Sequence, residues 1–223
     1  MARRENAPEI ARDVLESDIA TGAAQLALGL SPPQVATLAA YVALLAKWNR
    51  TYNLTAIREP ARMVTHHVLD SLAVLAHLPQ RDDVRLLDVG SGGGLPGIPL
   101  AIARPQWRAT LVDPVHKKAA FLAQAAIELG LGNVDAQAAR VEDLGSNVRY
   151  DIVISRAFAD LATFATLAAP HLAPDGVLVA MKGVHPVEEI AQLPREFAVV
   201  ATPALAVPGL DASRHLIIMR RAQ

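Results

Sequence analysis

Between residues 31 and 80 the apolar positions recur every three or four residues; from residue 84 onward they come in short runs broken by turn residues. Ser31-Pro32-Pro33-Gln34 reads as a helix start: serine caps, proline suits the first turn, and glutamine three residues on completes a capping box. Val35, Leu38, Val42 and Leu45 then form one helical stripe, which predicts core packing against the rest of the chain. A second helix is predicted after Glu59-Pro60, with Met63, Val64, Leu69, Leu72, Leu75 and Leu78 as its apolar positions. Residues 1–80 are therefore expected to be a helical extension packed on a main domain over residues 81–223. Strand-like runs in that domain cover 84–89, 108–113, 133–138, 150–154 and 176–181, with helical stretches between them, notably 116–129. Strands alternating with helices imply crossover connections and a mostly parallel sheet covered on both faces. Runs 197–201 and 215–219 are joined by a Pro/Gly/Asp loop too short for a usual crossover helix, so they should pair antiparallel. The expected class is α/β: a mostly parallel seven-stranded sheet ending in an antiparallel strand pair.

Composition narrows the chemistry. With 52% hydrophobic residues the chain can bury a sizeable core. Its longest nearly apolar stretch, Val35 to Ala46, falls short of the roughly 20 residues a membrane span needs. Met1 to Asn6 leads into no apolar signal core, so a cytoplasmic location is expected. The absence of cysteine removes disulfides, thiolate metal sites and any cysteine nucleophile. Net charge is −1, so a nucleic-acid partner would need a local basic surface. Lys47, Arg50, Arg58 and Arg62 are candidates for one, with a solvated helix surface as the equal alternative. His66, His67 and Asp70 could suggest a metal, but adjacent histidines point to different helix faces; capping or interhelix hydrogen bonds are expected instead, and no metal.

In an open parallel sheet, ligands sit at the carboxyl ends of the strands, near the point where strand order reverses. After the first strand comes "LLDVGSGGGLPGIP", residues 86–99. Gly92-x-Gly94-x-x-Gly97 spells a dinucleotide fingerprint, while Asp88-x-Gly90-x-Gly92 spells the first motif of an S-adenosylmethionine methyltransferase. After the second strand comes Asp113, about 20 residues on, where such folds place an acid on ribose hydroxyls. Helix capping is its alternative role. After the third come Val141 and Glu142, where an acid can accept from an adenine amino group and nearby amides can address the ring nitrogens. After the fourth comes Ser155-Arg156-Ala157-Phe158, without the Asn/Asp-Pro-Pro-aromatic motif of amino-group methyltransferases. Arg156 at a cleft mouth suits a phosphate, a carboxylate or a guanine edge, or else a structural ion pair. Lys182, ending the fifth strand, either faces a substrate or is solvated. These residues alone leave open a methyltransferase, an NAD-dependent oxidoreductase, and a non-catalytic binding protein.

Several blocks in order resemble one family. They are Lys47-Trp48-Asn49-Arg50-Thr51-Tyr52-Asn53-Leu54-Thr55, His67-Val68-Leu69-Asp70-Ser71-Leu72, Asp88 to Gly97, Lys117-Lys118-x-x-Phe121-Leu122, Ser155-Arg156-Ala157, Lys182-Gly183 and Arg214-His215-Leu216. The chain from about Leu30 to Arg220 resembles the bacterial small-subunit ribosomal RNA guanine-N7 methyltransferases, the glucose-inhibited division protein B family. The resemblance implies a Rossmann-like class I fold, S-adenosylmethionine as cofactor, and methylation of one guanine of 16S ribosomal RNA at N7. It implies cofactor contacts at Gly90, Leu95, Val141, Glu142 and Arg156, beside the motif residues Asp88, Gly92 and Asp113. Arg156 and Lys182 are the positioning candidates, and Phe158 a candidate to stack on a base. Pro114 departs from the family, where serine is common. Guanine N7 offers a free lone pair, so alignment in a dry site suffices and no catalytic base is required. The expected partner is 16S ribosomal RNA or the small ribosomal subunit, met by a monomer. A small-molecule methyltransferase, favoured by the near-neutral charge, and an NAD-dependent oxidoreductase are the alternatives.

Overall fold

The computed structural model describes residues 12–222 except Ser146 and Ala159. The first eleven residues of the expected helical extension, including the segment read for a signal core, and Gln223 lie outside the described residues. Helices α1 (Arg12–Gln25) and α2 (Pro32–Tyr52) open the chain. Gln34 closes the start of α2: its Oε1 accepts from the Ser31 backbone N–H at 2.8 Å and hydroxyl at 3.0 Å. The same side chain donates to the Ile102 and Ala103 carbonyls at 3.0 and 3.1 Å, tying α2 to a later helix. All four residues of the predicted stripe are buried.

The predicted second helix is four short pieces: α3 (Pro60–Met63), a π-helical stretch over Val64–Leu69, α4 (Asp70–Leu72) and a 3-10 turn over Ala73–His77. The wider π turn shifts the phase of the helix. As a result Met63, Val64, Val68, Leu69 and Leu72 are all buried, and so are the polar His67, Asp70 and Ser71.

The sheet follows as β1 (Arg85–Val89), α5 (Gly97–Ala103), β2 (Arg108–Val112), α6 (His116–Glu128) and β3 (Val134–Gln137). It continues with β4 (Tyr150–Arg156), α7 (Leu161–Ala168), β5 (Leu172–Lys182), α8 (Val187–Ala191), β6 (Phe197–Ala201) and β7 (His215–Arg221). Strand order is β3-β2-β1-β4-β5-β7-β6. The first five strands are parallel; β7 pairs antiparallel with β5 and with β6. Alternate residues feed two cores. Leu86, Ile152, Ile154, Val177, Val179 and Leu216 face a core shared with α1, α2, the 60–77 segment, α5 and α6. Leu87, Val89, Val153, Leu178 and Ile217 face a smaller core with α7. Strand order reverses between β1 and β4, so the expected ligand crevice lies at their carboxyl ends.

Candidate active site

The turn after β1 is held by hydrogen bonds to its own backbone groups. Gly90 and Ser91 donate their N–H groups to the Val112 carbonyl at 2.9 and 3.0 Å. Gly94 and Leu95 donate to the Ser91 carbonyl at 2.8 and 3.0 Å. Gly92, at φ +58, donates to Asp113 Oδ2 at 3.0 Å. Gly97 donates to Asp88 Oδ2 at 2.9 Å, and Tyr41 of α2 donates its hydroxyl to the Gly93 carbonyl at 2.5 Å. A pyrophosphate cradle needs free N–H groups at the start of the following helix. Here the Gly97 N–H is already taken by a carboxylate. The Gly92-x-Gly94-x-x-Gly97 spelling therefore does not build a dinucleotide cradle. Gly90 and Gly92 are half-buried, leaving glycine backbone open to the crevice.

The acids expected at the cofactor brace this turn. Asp88 is fully buried beneath it, and burial raises its carboxyl to about 7, against the pull of the Gly97 N–H and the Arg156 charge. Its Oδ1 has no partner among the described residues. A Cβ on Gly97 would lie 2.7 Å from Asp88 Oδ2, so only glycine admits this approach. Asp113, also buried, accepts from Val115 N–H at 2.9 Å through Oδ1 as well as from Gly92 through Oδ2; Lys118 Nζ stands 3.6 Å from Oδ2. It thus caps the approach to α6 while holding the turn. Leu95 is buried in the larger core, Val141 in the smaller, and Glu142 is exposed on the 3-10 turn after β3.

Across the crevice, Arg156 ends β4. Asp88 pairs in register with Ile154, so Arg156, two residues further, stands level with Gly90. The next residue, Ala157, has φ +60, a left-handed conformation uncommon for a residue with a Cβ. Phe158 then folds back over the glycine turn, 3.6 Å from where a Gly90 Cβ would be, and its ring centroid is 5.8 Å from that of Phe164. It packs on the turn in this structure and does not stand clear for a base.

Arg156 Nη1 donates to the His66 carbonyl at 3.2 Å and to Asp70 Oδ2 at 3.4 Å. Asp70 Oδ1 accepts from Arg214 Nε at 2.8 Å. His67 lines the same cluster. His67 Nε2 lies 2.7 Å from Thr55 Oγ1, which also accepts from Ile57 N–H, and Nδ1 lies 2.9 Å from the His66 carbonyl and 3.3 Å from Arg156 Nη1. Burial, with the Arg156 charge beside it, lowers this imidazole to about 4, in keeping with a neutral ring. Lys182, the other positioning candidate, is bound to Glu189 of α8 at 2.7 and 3.1 Å, and Glu189 also accepts from Leu161 N–H at 2.8 Å. Lys47, Arg50, Arg58 and Arg62 are exposed.

Sequence reasoning did not select Tyr41, Asp70 or Arg214 as site residues. The signal for Asp70 was present: His67 and Asp70, three apart, share a helix face with Val64, and polar residues on an apolar face are buried for a reason. A groove of about 810 Å³ lined by Arg85, Trp107, Arg108 and Asn133 opens at the amino ends of the strands. It lies away from the switch point, where parallel sheets bind ligands.

Comparison with known proteins gives the family. Residues 34–217 match the family model for rRNA small subunit methyltransferase G. A ribosomal RNA small subunit methyltransferase G of Burkholderia multivorans is 54% identical over 220 residues, covering 97% of this chain and 96% of the relative. One from Nitrosospira multiformis is 53% identical, covering 92% and 97%. Among solved structures, a ribosomal protein L11 methylase from Lactobacillus delbrueckii subsp. bulgaricus superposes with TM-score 0.54 at 15% identity, covering 70% of this chain and 77% of its own. That likeness carries the fold: a class I methyltransferase sheet. With a family model matched over most of its length and relatives above half identity, this chain is a member of the rRNA small subunit methyltransferase G family, and a methyltransferase.

Proposed function

We propose that this chain transfers the methyl group of S-adenosylmethionine to N7 of one guanine in 16S ribosomal RNA, in the cytoplasm where ribosomes are assembled. The observation that carries the reading is the glycine turn at the switch point. The amides of Gly90, Ser91, Gly92, Gly94, Leu95 and Gly97 are spent inside the protein while Gly90 and Gly92 stay partly open, which suits a cofactor without a pyrophosphate. Gly90 and Gly92 would hold the cofactor by close backbone approach, Val141 and Glu142 would address its adenine, and Arg156 its carboxylate end. When bound, the cofactor supplies an electrophilic methyl group on a sulfonium.

The rest falls to alignment. Guanine N7 has a lone pair and no proton, so the protein has no proton to remove. The positive charge passes from sulfur to the base, and no oxyanion develops that a donor pair must stabilise. What the protein contributes is a fixed approach of base to methyl, the term that orientation supplies. A crevice floored by a rigid turn and walled by anchored arginines is built for that.

The test is mapping of N7-methylguanine in small-subunit RNA from cells with and without this protein. One N7-methylguanine is expected to vanish in its absence and return with the purified protein and S-adenosylmethionine. Unchanged methylation overturns the reading, and transfer only to metabolites in a parallel panel replaces it with the small-molecule one.

A further inference from the structure

Asp70 is 2% exposed at its side chain, and each of its carboxylate oxygens holds a different arginine. The arginines come from distant parts of the chain: Arg156 from the end of β4, Arg214 from the loop before β7. That loop crosses the π-helical stretch, where Gly209 approaches Thr65, and enters the sheet beside Lys182, which pairs with His215. Three separate elements thus meet on one carboxylate at the carboxyl edge of the sheet.

One buried carboxylate balances one cation. Two guanidinium groups leave a surplus positive charge beside the crevice, and about a quarter of each side chain remains open (23% for Arg156, 25% for Arg214). Arg214 spends Nε on Asp70 and one Nη1 donor on the Ser213 carbonyl at 2.9 Å; its Nη2 has no partner among the described residues. A planar guanidinium fixed at Nε holds its remaining donors in one plane, where a pair of them can meet phosphate oxygens. Stability is a weak reason for such a triad, since buried ion clusters seldom outperform apolar packing.

We propose that Asp70 is a positioning residue that sets Arg156 and Arg214 side by side, and that Arg214 binds a backbone phosphate of the substrate RNA. The proposal rests on the RNA methyltransferase reading above. Arg156 serves the cofactor side and Arg214 the RNA side, with Asp70 holding both at one spacing.

Arg214→Gln is the cleanest probe, because it leaves Asp70 and Arg156 as a balanced pair and so spares the fold. With the purified full chain and small-subunit RNA, it is expected to raise KM for RNA about 10- to 100-fold with kcat nearly unchanged. The slope of log affinity against log salt should fall by about one. The Kd for S-adenosylmethionine should stay within about two-fold. Arg214→Lys should recover part of the RNA affinity, keeping charge without the fork. Asp70→Asn frees both arginines and should weaken RNA and cofactor together; if it fails to fold, the two Arg214 variants still decide. Unchanged KM and salt slope in Arg214→Gln overturn the proposal, and so does a weakened cofactor Kd with normal RNA binding, which would place the cofactor's carboxylate on Arg214. If the unaltered protein methylates no RNA, the functional reading fails instead.

Discussion

The glycine turn after β1 and the arginine cluster after β4 face the same crevice, yet they are held in opposite ways. The turn is fixed by backbone donors that find acceptors within the protein: Val112, Asp113, Ser91 and Asp88 take them in sequence. The cluster is fixed by charge, and Arg214 Nη2 is left over among the described residues. Their buried acids differ in the same sense. Asp88 receives one backbone N–H and keeps an oxygen unpartnered among the described residues, whereas Asp70 has a guanidinium on each oxygen. The first wall has its donors satisfied within the protein; the second has donors to give. On the function proposed here, one side of the crevice shapes and the other side grips.

The contrast breaks most visibly with pH. Asp88 is raised from 3.8 to about 7, so the folded state keeps a proton that the unfolded state loses. Its stabilisation is full below the unfolded value and is lost as pH rises through the folded one, a swing of roughly 4 kcal/mol at the limit. His67 is lowered from 6.5 to about 4; its stabilisation is present above 6.5 and is lost as pH falls toward 4, roughly 3 kcal/mol at the limit. Between those values the two slopes oppose each other. Asp88→Asn keeps an acceptor for Gly97 and removes one of them. Its disadvantage against the unaltered protein should shrink as pH rises from about 4 to about 7 in urea unfolding, and its own stability should then climb with pH through the His67 window. Parallel curves for the two proteins would mean that Asp88 does not titrate within the fold.

A smaller loss tests whether the turn is as rigid as its bonds imply. Gly97→Ala places a methyl group 2.7 Å from Asp88 Oδ2 and 2.9 Å from Leu111 Cγ, so α5 must lift from β1 or the Gly97–Asp88 bond must break. Overpacking plus a strained buried hydrogen bond should cost about 3 kcal/mol, read as a lower urea midpoint at unchanged slope. The Kd for S-adenosylmethionine should rise with it, while RNA affinity, set across the crevice, should change least. An unaltered midpoint would show that the turn yields where the contacts say it cannot.

The two walls also differ in how far they could be read from the chain. The glycine turn is a local constraint, and Gly90, Gly92 and Asp113 stand within one loop and its neighbouring strand, so their spacing was legible. What spacing did not show is direction. Asp88 lies between Leu87 and Val89, which face the smaller core, so strand alternation turns its carboxylate toward the opposite face and under the turn. The sheet class was legible for the same local reason, whereas the insertion of β7 between β5 and β6 was not. The arginine cluster joins residues 86 and 144 positions apart through a π turn that no 3.6-residue pattern describes. Asp70 was visible as a polar residue on an apolar stripe, but its partners were set by tertiary packing alone.

The least effect expected, and the sharpest in meaning, concerns the helix that braces the glycine wall. Tyr41 is fully buried in α2, and burial raises its phenol above the ordinary range, so it remains a proton donor at any working pH. Its hydroxyl supplies the Gly93 carbonyl, joining a helix of the first eighty residues to the turn itself. Tyr41→Phe keeps the ring and leaves that carbonyl unpaired, which should cost about 1.5 kcal/mol in urea unfolding. If the helices merely cover the sheet, stability is all that changes. If they hold the turn in the shape a ligand meets, the Kd for S-adenosylmethionine should rise about three- to ten-fold while the salt dependence of RNA binding stays put, because that dependence belongs to the arginine wall. A stability loss with unchanged cofactor affinity would make the glycine wall self-supporting, its shape owed to Asp88 and Asp113 and not to the helix above it.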